Sequence, residues 1–119
     1  AVATISENTV TIISAGTTNI TASQAGNANF NPAADVVQPF TVNPKQNQTI
    51  TFPIVADKTL GDGSFPLTAT ASSNLTVSYA TSSDKITITG SQVALVKAGR
   101  ATITASQAGD TTYNAAPDV

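Results

Sequence analysis

The segment AGTTNITASQAGNANFNPAADV at residues 15–36 returns as AGRATITASQAGDTTYNAAPDV at residues 98–119. The offset is 98 − 15 = 83 residues, and the correspondence extends backward to pair Val10 with Val93. A period of about eighty residues exceeds the roughly twenty to fifty residues of a solenoid repeat and suits one small β-sandwich domain. Each period is therefore predicted to form one domain.

The offset divides the chain into parts of two units. Residues 1–44 are predicted to be the C-terminal part of one unit, and residues 45–119 a second unit that lacks its last strand. Residues 45–48 are predicted to be a short polar linker. A sandwich without a strand leaves unpaired backbone and uncovered core at its edge, so we expect the first unit to be the weaker one. Residues 36–42 are not expected to fill the position of the last strand of the second unit within their own chain. In the usual topology the end of that strand and the start of the unit at Thr49 lie at opposite poles of the sandwich, whereas the short linker spans at most about 20 Å. Pairing between chains is the expected alternative.

The pattern of apolar residues predicts strands throughout. Short alternating or apolar runs recur about every ten residues between Gly, Asn, Asp and Ser clusters, without a sustained helical period. Residues 101–106 read Ala-Thr-Ile-Thr-Ala-Ser, which gives one apolar and one hydroxyl face. Gly90 and Ser91 predict a two-residue hairpin with Gly at positive φ, and Asn8 is expected to take that role at the equivalent Glu7-Asn8. Strands are predicted at residues 2–6, 9–14, 18–24, 36–43, 48–54, 66–71, 76–80, 85–89, 92–96 and 101–107, and Pro39 indicates an edge position for the fourth.

Composition excludes several classes of function. The net charge is −2, from 5 basic and 7 acidic residues, and no basic patch could neutralise phosphates, so nucleic acid is not an expected partner. No apolar run reaches the roughly eighteen residues of a membrane helix, so no membrane insertion is expected. The absence of His and Cys excludes Ser-His and Cys-His catalysis and thiolate or imidazole zinc sites. The cysteine-free, weakly charged composition indicates a secreted or cell-surface protein.

Three segments carry a resemblance to a known family. QTITF at residues 48–52, LTATASSNLTVSYATSS at residues 67–83 and the segment at residues 98–119 resemble Ig-like repeats of large bacterial surface proteins. They look most like the group 2 bacterial Ig-like modules of invasin- and intimin-type adhesins. The pattern Ala-Gly-x-x-x-Ile-Thr-Ala-Ser at residues 15–23 and 98–106 is its most specific part, and the similarity covers the whole chain. The resemblance implies an immunoglobulin-like, Greek-key β-sandwich and brings no catalytic, cofactor or metal residues.

The acidic residues are the candidates for catalytic or metal-binding groups. A carboxylate pair could serve glycoside hydrolysis, but most of the acids are predicted to lie in turns, where Asp side chains accept backbone N–H groups. Asp57 and Asp62 offer oxygens to calcium, yet they lack the dense spacing of a calcium loop, which favours a turn role. No catalytic, cofactor-binding or metal site is therefore predicted among Glu7, Asp35, Asp57, Asp62, Asp84, Asp110 and Asp118.

The aromatic residues are the candidates for a surface that stacks on sugar rings. Phe52, Phe65 and Tyr79 lie in or next to predicted strands, where packing in the core is the ordinary role. Tyr113 and its counterpart Phe30 lie in polar loops after Ala-Gly, and each ring is expected to anchor its loop. Because Phe30 has no hydroxyl, packing alone must hold it.

Two functions of different kinds remain open. The first is a non-catalytic, extracellular module that acts with neighbouring Ig-like repeats as a semi-rigid spacer or adhesive stalk of a bacterial surface protein. The second is a module that binds polysaccharide or a host or cell-surface protein, and that could be accessory to a polysaccharide hydrolase. Neither function calls for a cofactor, and neither makes this chain an enzyme.

Overall fold

The computed structural model describes all residues, 1–119, and the chain forms two compact units, Ala1–Pro44 (unit 1) and Lys45–Val119 (unit 2). The predicted all-β class is confirmed, because the chain contains strands and no helix, and therefore no helix that could cross a membrane. The strands are β1 (Ala3–Ser6), β2 (Thr9–Ile12), β3 (Gly16–Gln24), β4 (Ala33–Val42), β5 (Ile50–Thr51), β6 (Phe65–Pro66), β7 (Thr70–Ala71), β8 (Ser78–Ala80), β9 (Ile86–Thr89), β10 (Gln92–Leu95) and β11 (Thr104–Ser106).

Unit 1 consists of two antiparallel pairs, β1 with β2 and β3 with β4. The β3–β4 ribbon is the longer pair, with Asn19 opposite Pro39 and an irregularity between Ala22 and Gln24. β4 has no second neighbour, which agrees with the edge position that Pro39 indicated. No side chain of unit 1 is buried, and large apolar side chains such as Ile12 (59% exposed) and Val36 (55%) face solvent.

Unit 2 contains three small antiparallel sheets, with strand orders β6-β10-β9, β11-β8 and β5-β7. The predicted strand at residues 66–71 is divided, since β6 pairs with β10 whereas β7 pairs with β5. The buried Leu67 follows β6 at this change of partner. The predicted strand at residues 48–54 is reduced to β5, and Pro53, which has no N–H to donate, follows shortly after it.

The core of unit 2 has two apolar clusters. One contains Ile50, Ala105 and Ala116, and the other contains Leu67, Ile86 and Val93. Phe52 and Tyr79 pack against both clusters, with ring centroids 5.8 Å apart in an edge-to-face arrangement. The Ala69 amide donates a 2.9 Å hydrogen bond to the hydroxyl oxygen of Tyr79, which satisfies the polar end of this half-buried ring.

Backbone geometry recurs at the 83-residue offset. The carbonyl of Val2 accepts hydrogen bonds from residues 13 and 14 at 2.8 and 3.1 Å, and the carbonyl of Lys85 accepts from residues 96 and 97 at the same distances. Positive φ angles recur as well, at Gly16 (139°) and Gly99 (137°), and at Gly26 (74°) and Gly109 (77°). The sequence correspondence therefore extends to turn geometry and hydrogen bonding.

The two copies differ where β3 meets its partner. In unit 1 the strand covers residues 16–24, and β4 pairs with it as far as Val42. In unit 2 the equivalent strand, β11, contains only residues 104–106. On the edge that corresponds to the β4 side of β3, Ala105 and Val119 exchange backbone hydrogen bonds of 2.7 and 3.0 Å. The prediction of a strand from residue 101 was wrong for residues 101–103, because strand geometry needs a partner and none lies beside them.

The hairpin turns give a first test of stability. Gly90 has a φ of 61°, as predicted, but in unit 1 the residue at positive φ is Glu7 (54°) and not Asn8. A non-glycine residue in this region costs about 1 to 2 kcal/mol. We therefore expect Glu7→Gly to raise the stability of unit 1 by about 1 kcal/mol, measured by urea titration with NMR signals of unit 1. An unchanged midpoint for Glu7→Gly would contradict this expectation, and Asn8→Gly is the control with no expected gain.

Candidate functional site

The acidic side chains are all exposed. No three of them lie close enough together to hold a metal ion. Asp84 forms ion pairs with Lys85 (2.6 Å) and Lys97 (2.8 Å), and these bonds lower the pKa of Asp84 below its usual value. A general acid needs the opposite shift.

The stretch considered for calcium forms a closed turn. The amide of Thr59 donates to the Asp62 carboxylate at 2.9 Å, and the amide of Asp62 donates to the Thr59 carbonyl at 2.9 Å. This is the turn role that the sequence favoured for Asp62. Asp57 lies apart from this turn, in the wall of a cleft described below.

A set of hydrogen bonds in unit 2 joins residues 45–48 to the loop of residues 107–114, here called the clamp loop. The Gln46 amide donates to the Thr112 carbonyl, and the Asn114 amide donates to the Gln46 carbonyl, both at 2.8 Å. Gln46 thereby forms a parallel bridge with Tyr113. The Asn114 side chain also donates to Asn47 Oδ1 at 2.9 Å. Residues 45–48, predicted to be a short polar linker, are thus hydrogen-bonded to unit 2.

Gln48 secures this arrangement from the inside. Its side chain is buried at 3% exposure and donates a 2.7 Å hydrogen bond from Nε2 to the Asn114 carbonyl. Its Oε1 accepts a bond from the Ser73 hydroxyl at 2.5 Å. A buried amide with both ends satisfied specifies one position for the chain, because any shift would leave a polar group without a partner.

The clamp loop is shaped by Asp110. Its carboxylate accepts the amides of Thr112 (2.7 Å) and Tyr113 (2.8 Å), and these bonds lower the pKa of Asp110, with the bond from Tyr113 the larger cause. Asn27 makes the same two bonds in the equivalent loop of unit 1, to Asn29 (2.8 Å) and Phe30 (3.0 Å).

This equivalence leads to a prediction on pH. Because the pKa of folded Asp110 is depressed, its contribution is present above the unfolded pKa and is lost as pH falls through the folded value. Asp110→Asn should keep both hydrogen bonds, as Asn27 does, and should reduce the fall in unit 2 melting temperature between pH 5 and pH 2. Melting followed by tyrosine fluorescence checks this, with Asp118→Asn as the control. If the melting temperature of Asp110→Asn fell as much between pH 5 and pH 2 as that of the unchanged chain, the prediction would be contradicted.

The aromatic residues divide between the two units. Phe52, Phe65 and Tyr79 pack against the apolar clusters, as predicted from their places in the strand pattern. Tyr113 is half-buried in the clamp loop, whereas its counterpart Phe30 is 73% exposed. The expectation that packing holds Phe30 was therefore wrong, since most of its ring faces solvent.

A cleft of about 430 Å³, here called the edge cleft, opens beside the unpaired residues 99–103. One wall is formed by residues 55–58 and the other by residues 97–101 and Ile103. Phe65, Val93 and Leu95 contribute to its apolar lining, and a second, smaller opening continues from it past Phe52 to Val119. The sequence did not predict this cleft, because one of its walls, residues 55–58, comes from a segment with no strand pattern.

Comparison with known proteins does not add a relative, since no protein family, curated protein or solved structure matches this chain.

Proposed function

We propose that this chain is part of a non-catalytic bacterial cell-surface or secreted protein, in which Ig-like modules of about 83 residues are joined in tandem as a semi-rigid spacer or adhesive stalk. In this proposal each complete module is a Greek-key β-sandwich. The support is the all-β fold, the recurrence of turns and hydrogen bonds at the 83-residue offset, and the resemblance of residues 15–23 and 98–106 to the family pattern.

The observation that carries the spacer role is the shortness of the connection. β4 ends at Val42, and Gln46 is already hydrogen-bonded to the clamp loop, so only residues 43–45 lie between them. Pro44 fixes its own φ and restricts Asn43 to extended conformations. A connection of this kind has few accessible conformations, in contrast to a flexible Gly/Ser linker.

A binding role finds less support in the side chains. Stacking on sugars needs several exposed rings, but Phe30, at 73%, is the one aromatic residue in the exposed class, and the other rings are half-buried. Among the exposed acids, Asp84 forms ion pairs with two lysines, and Asp110 accepts hydrogen bonds from backbone amides of the clamp loop.

The spacer role is tested by the distribution of distances between the units. The chain has no cysteine, so Ser23→Cys and Ser64→Cys, both at exposed positions, allow two spin labels to be placed without background. We expect a narrow distance distribution by pulsed electron paramagnetic resonance. Insertion of Gly-Ser-Gly-Ser after Pro44 should broaden it markedly. Equal, broad distributions in both proteins would contradict a semi-rigid connection.

The binding alternative is tested separately by retention on insoluble polysaccharides and on a glycan array. The spacer role predicts no specific retention of the chain. Retention that is lost in Phe30→Ala, and kept in the matched variant Phe40→Ala, would instead establish a binding module that uses the exposed ring.

A further inference from the structure

The strand β8 has a free edge in unit 2. It pairs with β11 on one side and with no strand on the other. Ala105 of β11 exchanges both of its backbone hydrogen bonds with Val119, so its register partner Tyr79 directs its own N–H and C=O groups away from β11. Val77, two residues earlier, directs its backbone groups the same way. Four backbone groups therefore face outward from β8 without a ladder partner.

No strand of the repeat belongs at this edge. Residues 81–85 connect β8 directly to β9, which lies in a different sheet. The 83-residue offset converts the pairing of Ala22 with Val36 in unit 1 into that of Ala105 with Val119. A counterpart of β4 therefore belongs on the opposite side of β11, and the open side of β8 is a property of the fold itself.

The free edge of β8 lacks the features that commonly protect edge strands. Charged residues, prolines and bulges discourage an edge from pairing with another chain. The edge strand β4 contains Asp35 and Pro39. The strand β9 directly follows Asp84 and Lys85. Residues 67–83, by contrast, contain neither a charged residue nor a proline, and β8 keeps a regular register with β11. The edge of β8 is therefore open to pairing.

We propose that β8 pairs antiparallel with β8 of a second copy of this chain. A two-fold axis through Ser78 sets Val77 opposite Tyr79 of the second copy, and Tyr79 opposite Val77 of the second copy. Both are hydrogen-bond-exchanging pairs in this register, so all four outward groups of each strand find partners. Because the segment is uncharged, the pairing brings no like charges together, and the edge is compatible with itself.

A cleft of about 330 Å³ beside β8 accommodates side chains of the second copy. Leu67, Leu75 and Val77 contribute to its lining and no residue of β11 does, so the cleft opens on the free side of β8. Val77 and Tyr79 face inward, since both pack against the cluster that contains Ala105. Val77 of the second copy shares this face and covers part of the cleft. The contact is smaller than a standard interface, so the association is weak. Weak contacts of this kind gain strength where tandem repeats of neighbouring molecules lie side by side.

NMR spectra of the ¹⁵N-labelled full chain at increasing concentration test the proposal. We expect amide signals of residues 76–81 to shift as the concentration rises to about 1 mM, where a contact of this size becomes populated. Ser78 is exposed and lies on the axis, so Ser78→Lys places two like charges opposite each other. This change should weaken association by about 5-fold or more at low salt. Thr87→Lys, at an exposed position of β9, is the matched control and should leave association unchanged.

A charge exchange separates the specific contact from a general effect of charge. Ser78→Glu should weaken self-association as Ser78→Lys does, whereas an equimolar mixture of the two variants should associate at least as strongly as the unchanged chain, because opposite charges then face each other. The absence of shifts at residues 76–81 up to about 1 mM, or shifts at residues 99–103 alone, would overturn the proposal. Equal weakening by Ser78→Lys and Thr87→Lys, or a mixture that associates no better than either Ser78 variant by itself, would also overturn it.

Discussion

Replacing Gly109 by alanine is expected to destabilise unit 2 by about 3 kcal/mol or more. Gly109 has a φ of +77°, and a Cβ atom at this position would meet the Tyr113 carbonyl oxygen and lie 2.7 Å from the Asn114 carbonyl carbon. These are backbone atoms of the clamp loop, so relief requires the loop to move. Movement of Asn114 would break its bond with Gln46 and remove the 2.7 Å acceptor of the buried Gln48 side chain.

The measurement is urea unfolding followed by tyrosine fluorescence. Both tyrosines, Tyr79 and Tyr113, lie in unit 2 and the chain has no tryptophan, so this signal reports on unit 2 alone. Gly90→Ala is the matched control, since Gly90 also has a positive φ but nothing lies within 4 Å of its added Cβ. It should cost about 1 to 2 kcal/mol. If Gly90→Ala and Gly109→Ala lowered the free energy of unfolding equally, the clamp loop would be able to move away from the added Cβ atom at little energetic cost.

Much of the fold could be predicted because local signals agree with one another. Period-two alternation located the strands, and Gly90 with Ser91 located a hairpin whose register the structure reproduces, with Gln92 opposite Thr89. The errors came from tertiary context. Strand pairing divided residues 66–71 between two sheets, and the lack of a partner left residues 101–103 outside any strand.

The hydrogen bonds between residues 45–48 and the clamp loop could not be predicted, for a different reason. Gln46, Gln48 and Asn114 are ordinary surface residues by type, and sequence gives no periodic signal for an amide that bonds across 66 positions, as Gln48 does to Asn114. The composition of residues 45–48 indicated a linker, which is the correct statistical reading of Lys-Gln-Asn-Gln. Backbone groups of the clamp loop, whose conformation depends on Gly109 and Asp110, form hydrogen bonds with Gln46. These bonds make residues 45–48 part of unit 2.

Exposure of equivalent apolar residues gives the main reason to expect unequal stability of the two units. Val93 is completely buried against Leu67 and Ile86, whereas Val10, its counterpart 83 residues earlier, is 39% exposed. Val93 pairs with Phe65 of β6 as well as with Ile88 of β9, whereas Val10 pairs only with Ile5 of β1. The same valine therefore has different neighbours in the two units.

Val93→Ala is accordingly expected to lower the free energy of unfolding of unit 2 by about 2 to 3 kcal/mol, of which two lost carbons account for about 1.6 kcal/mol and the cavity for the rest. Val10→Ala should lower that of unit 1 by less than about 1 kcal/mol, since a partly hydrated side chain loses less burial and leaves no cavity. Tyrosine fluorescence follows the first variant and NMR signals of unit 1 follow the second, both at concentrations where the chain is monomeric. A cost for Val10→Ala as large as that for Val93→Ala would mean that unit 1 buries this face after all, and the expected difference in stability between the units would lose its physical basis.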